Sequence, residues 1–179
     1  MRRVLDPALV EAIDALPAAT FSATVWRVTW ANREPLAGNF GGGRWSPDNS
    51  FEALYTSLDQ DGAMAEVYFH LSRAPVFSSS NMRLNQIDVT LNHVLEMDPA
   101  TLESLGLKAP LASRIDYAIS QSIGAVAHML DFQGIIVPSA RWACLNLVIF
   151  MDRIDVDKQI RAVGRQEINW PAWKEKNKA

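Results

Sequence analysis

The 179-residue chain has one cysteine, Cys144, so an internal disulfide is excluded. That thiol stands in the apolar stretch Ala143 to Phe150, where burial in a reducing compartment is expected. Long hydrophobic runs are also missing. No stretch approaches the ~20 apolar residues that span a bilayer, and Met1 to Asp6 lacks an apolar signal core, so a cytoplasmic protein with no membrane contact is expected. Basic charge is in short supply: 17 basic against 20 acidic side chains leave −3, with a pI near 5.6. That balance offers no broad cationic field for a phosphate backbone, and no direct nucleic-acid binding is expected.

Several chemical signatures are absent as well. His70, His93 and His128 stand far apart without a His-Glu-x-x-His spacing, so no metal is expected. No Gly-x-Ser-x-Gly occurs, which removes the nucleophile elbow of a serine hydrolase. The glycine-rich stretch has no Lys-Ser/Thr pair behind it and fits neither a P-loop nor a dinucleotide fingerprint. Internal repeats are absent, and the only biased segments are Ser78 to Asn81 and the Lys-rich end Lys174 to Lys178, read as a solvated tail.

What is present suits one domain with its own core. Hydrophobic residues make up 49% and charged residues 21%, enough apolar surface to fold without staples. Six tryptophans are many for this length, and several stand beside charged residues, which hints at a cleft. Apolar spacing at Leu9, Val10, Ile13 and Leu16 predicts a helix from Pro7 that Pro17 ends. Thr24 to Trp30 and Leu54 to Ser57 read as strands, and Ser57 with Gln60 resembles a capping box opening a helix through Leu71. Alternation at Ile87, Val89 and Leu91 predicts a half-buried strand. Pro99 starts a short helix that Gly106 caps, Asp116 to Leu130 has amphipathic spacing, and Ile135 to Val137 and Leu145 to Phe150 are strands. Strands and helices mix without a regular βαβ alternation, which favours an α+β fold.

Four residue types invite chemistry, each with a plain structural alternative. Arg44 follows Gly41-Gly42-Gly43, a permanent cation beside permissive backbone, suited to a pyrophosphate or carboxylate; the alternative is a surface arginine after a turn. Glu66 interrupts the apolar run Ala63 to Phe69, where a carboxylate needs a partner if buried or else faces solvent. Ser139 follows Pro138 at a strand end and either reaches a cleft or caps a turn. Tyr55 is either a core aromatic or a platform for a ligand.

In sequence order, Trp26-Arg27-Val28, Gly42 to Pro47, Leu54 to Ser57, Ala65-Glu66-Val67 and Val137 to Arg141 together resemble the RES-domain family, named for Arg, Glu and Ser, over roughly Val25 to Phe150. The Gly124-Ala125 part of the fourth predicted helix departs from the acidic and aromatic residues of many members. The resemblance implies a compact domain like the ADP-ribosyltransferases, with small mixed or antiparallel sheets around an NAD+ cleft, flanked by helices. It implies NAD+ as substrate and growth arrest as the outcome. It also implies an Xre-like antitoxin as partner, with ADP-ribose passing to a host protein such as phosphoribosyl pyrophosphate synthetase, to water or to phosphate. The family's site residues fall on Arg44, Tyr55, Glu66 and Ser139, with Arg27 as a second arginine. Glu66 would hold the ribose hydroxyls, Arg44 the phosphates and Tyr55 the nicotinamide ring, while Ser139 would bind the ribose or orient Glu66. An antitoxin seated over Gly38 to Pro47 would find Trp45 as a contact. The alternative class is a non-catalytic module that holds a nucleotide or peptide.

Overall fold

The computed structural model describes residues 5–72, 81–108 and 117–177. Helix α1 (Pro7–Asp14) starts where the Asp6 carboxylate accepts a hydrogen bond from the Ala8 N–H at 3.0 Å, with proline in the first turn, where its missing N–H costs nothing. Strand β1 (Ala18–Trp30) begins directly after Pro17, six residues before the predicted start. Strand β2 (Ala53–Ser57) leads into α2 (Gln60–Leu71). The cap of α2 is Asp59, whose carboxylate accepts from the Gly62 N–H at 2.8 Å; the expected Ser57 cap instead accepts from the Asp59 N–H at 3.3 Å. Strand β3 (Met82–Glu96), helices α3 (Pro99–Ser104) and α4 (Tyr117–Met129), and strands β4 (Gly134–Pro138) and β5 (Leu145–Phe150) follow. Gly106 sits at φ +90° after α3, the left-handed conformation expected of its cap. Asp116, most of Ser78 to Asn81, and Lys178 fall outside the described residues.

The C-terminal region carries elements that were not predicted, while Glu175 and Lys176 of the expected solvated tail are exposed. A 3₁₀ turn (Met151–Arg153) and helix α5 (Val156–Gln159) lead to strand β6 (Ile160–Glu167) and helix α6 (Trp170–Asn177). Trp170 and Trp173 are buried, and Lys176 pairs with Asp61 of α2 at 3.1 Å.

The α+β class is as expected, with the strands joined in one mixed six-stranded sheet of order β1-β2-β5-β4-β3-β6. A further pairing of β1 with β3 closes five of them into a ring, and β3 with β4 is the parallel pair. Period-2 alternation divides the side chains between two apolar layers. Leu54, Ile136, Leu147 and Ile149 enter the ring with Val25, Ile87 and Leu91. Their neighbours Ala53, Ile135, Val137, Val148 and Phe150 face outward against α4 and α1. A third cluster joins Val28, Met82 and Leu84 to Ala63, Met64 and Ala65 of α2 and to Trp170 and Trp173 of α6.

Candidate active site

Helix α2 is pressed onto the sheet through its first turn. A Cβ on Gly62 would stand 2.5 Å from the Cys144 sulfur and 2.7 Å from the Ser57 hydroxyl, so only glycine allows this approach. Cys144 is half-buried rather than fully so, and burial pushes its thiol above the ordinary range. One turn further along α2, Glu66 meets the turn that joins β4 to β5. Its Oε1 accepts hydrogen bonds from the Ser139 hydroxyl at 2.7 Å and from the Asn146 amide at 3.0 Å. Ser139 is itself fixed, because its oxygen accepts from the backbone N–H groups of Arg141 at 3.1 Å and Trp142 at 3.3 Å. Among the described residues nothing donates to Oε2 of Glu66. Both donors on one oxygen leave the other for whatever enters the cleft.

Asn146 was not singled out from the sequence. Its signal was the one that marks Glu66, a polar residue within an apolar run, and its Oδ1 is buried without a hydrogen-bond partner.

The opposite wall is the glycine-rich loop. Gly42 sits at φ +69°, and a Cβ on Gly43 would lie 2.7 Å from the Tyr55 ring carbon that bears the hydroxyl. The Tyr55 hydroxyl accepts from the Trp45 N–H at 3.1 Å and shares a hydrogen bond of 2.8 Å with the Ser46 hydroxyl. Tyr55 therefore ties the loop to β2, and burial pushes its phenol above the ordinary range, against the Ser46 hydrogen bond. Trp45, expected as a contact for an antitoxin, is 2% exposed and belongs to the core; Phe40, 55% exposed, is the aromatic the loop presents to solvent. The departure at Gly124 has its reason here. A Cβ on that residue would run into the Trp45 carbonyl, standing 2.8 Å from its carbon, so α4 can support the loop only where it carries glycine.

Arg27, Arg44, Tyr55 and Glu66 line one cleft of about 490 Å³, together with Arg33, Arg141 and Asn146. Ser139 lies immediately beside it, bonded to Glu66. Arg27 is committed to the scaffold: its Nη1 donates to the Pro35 carbonyl at 2.6 Å and the Ala37 carbonyl at 2.8 Å. Burial, helped by the charge of Arg33 and opposed by Glu52, pulls Arg27 down to about 10. Burial also lowers Arg44; the Glu66 carboxylate opposes that shift and the like charge of Arg141 adds to it. Four guanidinium groups against one carboxylate give the cleft a positive field in a protein of net charge −3. Among the described residues no group of side chains could hold a metal ion, and no helix is long and apolar enough to cross a membrane.

A family model described as RES domain matches residues 24–172. The chain is 34% identical over 161 residues to the Mycobacterium bovis protein named NAD(+) phosphorylase MbcT, covering 86% of this chain and 87% of that one. The Mycobacterium tuberculosis H37Rv protein of the same name gives the same figures. A chain in the crystal structure of the M. tuberculosis MbcT-MbcA toxin-antitoxin complex matches with TM-score 0.85 at 29% identity, over 98% of this chain and 100% of that one. With most of its length matched by the family model and by relatives above 30% identity, this chain belongs to the RES domain family.

Proposed function

We propose that the chain is the toxin of a bacterial toxin-antitoxin pair and consumes NAD+ by breaking the bond between nicotinamide and ribose, with orthophosphate as the acceptor of ADP-ribose. The observation that carries this reading is Glu66, held through one oxygen by Ser139 and Asn146 in a cleft otherwise lined by arginines. The names of the MbcT relatives support it, and the toxin-antitoxin complex of the structural neighbour supports a protein antitoxin as partner, of the Xre-like class that the family resemblance implies.

Cleaving the bond sends its electron pair to the pyridinium nitrogen and leaves positive charge on the ribose carbon. A carboxylate bonded to the ribose hydroxyls gains strength as that charge grows, so it lowers the barrier rather than only binding the ground state. Glu66 has this role through Oε2. Ser139 and Asn146 hold its rotamer, which spares reorganisation at the moment of reaction. Arg44, on the glycine-rich loop, binds the pyrophosphate where the missing side chains of Gly42 and Gly43 let the dinucleotide approach. Tyr55 fixes that loop through its hydroxyl and offers its ring to the cleft.

The test is incubation of purified protein with NAD+ in phosphate-free and phosphate-containing buffer, reading free nicotinamide and the mass of the sugar product. The expected result is phosphate-dependent nicotinamide release with ADP-ribose carrying one added phosphate. Label on protein in a lysate would instead mark transfer to a host acceptor such as phosphoribosyl pyrophosphate synthetase, and unmodified ADP-ribose would mark water. Absence of nicotinamide release would overturn the enzymatic reading.

A further inference from the structure

The cleft holds a cation that the reading above leaves unused. Arg141 lies two residues after Ser139, and its own N–H donates to the Ser139 hydroxyl that holds Glu66. Its guanidinium stacks over the Phe69 ring, 3.3 Å from the centroid, and Phe69 is one helical turn beyond Glu66 on α2. Among the described residues no carboxylate lies within ion-pair distance of Arg141, and the Ala140 carbonyl, at 3.5 Å, is a marginal acceptor. The carboxylate of the cleft, Glu66, accepts from Ser139 and Asn146 through Oε1 and makes no ion pair with Arg141. The other arginines differ: Arg27 donates to two carbonyls and Arg33 to the Gly38 carbonyl at 2.8 Å.

We infer that Arg141 binds the orthophosphate co-substrate beside Glu66, in a subsite separate from the one that Arg44 provides for the dinucleotide. A guanidinium resting flat on an aromatic ring keeps its edge N–H groups available, and that fork matches two oxygens of a tetrahedral anion. Location then divides the two anions. Arg44 rises from the glycine-rich loop, where a long dinucleotide can lie along bare backbone, whereas Arg141 belongs to the turn that fixes Glu66 and so stands next to the reacting carbon. The charges of Arg44 and Arg141 repel each other across the cleft, and an anion on each relieves that repulsion.

The step balances without a further reactant. An unprotonated oxygen of the hydrogen phosphate dianion bonds to the ribose carbon as the carbon–nitrogen bond breaks. The bond's electrons neutralise the pyridinium, and neutral nicotinamide leaves. The product is ADP-ribose with a phosphate monoester on that carbon, whose remaining phosphate proton is the one the dianion brought. Arg141 orients the attacking oxygen and offsets its charge on approach to an anionic substrate.

This inference rests on the phosphorylase reading, and steady-state kinetics on the whole protein separates the two. Nicotinamide release is measured while orthophosphate is varied at saturating NAD+, then while NAD+ is varied at saturating orthophosphate, for wild type, Arg141→Met and Arg141→Lys. Far-UV circular dichroism and thermal unfolding check the fold of each variant. For Arg141→Met the expected KM for phosphate rises about tenfold or more, as loss of a charge-assisted hydrogen-bond pair implies, while the KM for NAD+ stays within about twofold. Arg141→Lys should fall between the two, because it keeps the charge and loses the fork. The product of Arg141→Met should shift from phosphorylated toward unmodified ADP-ribose. A rise confined to the KM for NAD+ would assign Arg141 to the dinucleotide and overturn the inference. So would a folded Arg141→Met with unchanged kinetics. A wild-type enzyme whose rate ignores phosphate would overturn both the phosphorylase reading and this subsite.

Discussion

Replacing Gly124 with alanine adds one methyl group where helix α4 meets the backbone of Trp45. The added carbon would stand 2.8 Å from the Trp45 carbonyl carbon, against a relaxed separation of about 3.5–4 Å between carbons. Neither partner can yield cheaply, since the obstacle is backbone and α4 is seated on the core through Ile123, Val126 and Ala127. Overpacking of this kind costs about 1–3 kcal/mol, and a backbone obstacle places it near the upper end. Alanine in a helix interior returns about 1 kcal/mol relative to glycine, leaving a net loss of about 2 kcal/mol. For a domain of this size that lowers the Tm by about 4–8 °C. The larger effect should fall on catalysis. Relief of the clash moves the loop, which breaks the hydrogen bonds from the Trp45 N–H and Ser46 to Tyr55 and displaces Arg44. Thermal unfolding followed by circular dichroism, beside nicotinamide release from NAD+, gives both numbers. A variant with wild-type melting and wild-type rate would show that this helix does not position the loop.

Three further perturbations probe other parts of the account. Tyr55→Phe leaves the Trp45 N–H without its acceptor and should cost about 1–2 kcal/mol near neutral pH. The folded pKa of Tyr55 lies above its ordinary value of 10.0, so its neutral phenol contributes stability below that pH and loses it as pH rises toward the folded value. Denaturant melts across that range should therefore show the gap between wild type and variant narrowing with pH, and a constant gap would contradict the assignment. Trp173→Phe removes the indole N–H that donates to Asp61 at 2.9 Å while keeping an aromatic ring among Tyr68, Trp142 and Trp170. A loss of about 1–2 kcal/mol in chemical denaturation is expected, and no loss would mean that this hydrogen bond adds nothing to the packing and the Lys176–Asp61 pair that hold α6 to α2. Arg44→Lys keeps a charge and loses the planar fork, so NAD+ binding by titration calorimetry should weaken about tenfold with an unchanged melting temperature; unchanged binding would mean that the guanidinium fork of Arg44 does not hold the dinucleotide.

Much of the core was legible because its central strands are nearly continuous apolar runs. Ile135 to Val137 and Leu145 to Phe150 are apolar on both faces, and the ring of strands buries both. Strand β6 was missed because its sequence, Ile160 to Glu167, buries little beyond Ile160 and alternates no apolar face. Of the first six residues of β1, Ala18 to Ala23, only Phe21 is strongly apolar and most are exposed; pairing with β3 holds the segment more than burial does. Helix α6 hid behind lysines, although Trp170 and Trp173 three residues apart carried its apolar stripe. In the cleft, motif order pointed to Glu66, Arg44, Tyr55 and Ser139. Hydrogen bonding separates their parts in a way that residue type does not. The Tyr55 hydroxyl serves the loop, Arg27 serves the segment at Pro35 to Ala37, and Asn146 reaches Glu66 from a strand whose register only the folded sheet defines.

The central claim is that Glu66, anchored through one oxygen, supplies its other oxygen to the charge that develops on the ribose. Single-turnover nicotinamide release by Glu66→Gln tests it most directly, with NAD+ affinity and circular dichroism measured on the same sample. Glutamine keeps the size and an acceptor for Ser139 and Asn146 but removes the negative charge. The rate should fall by on the order of 100-fold or more with the fold intact and NAD+ still bound. A folded Glu66→Gln protein that releases nicotinamide at the wild-type rate would contradict it.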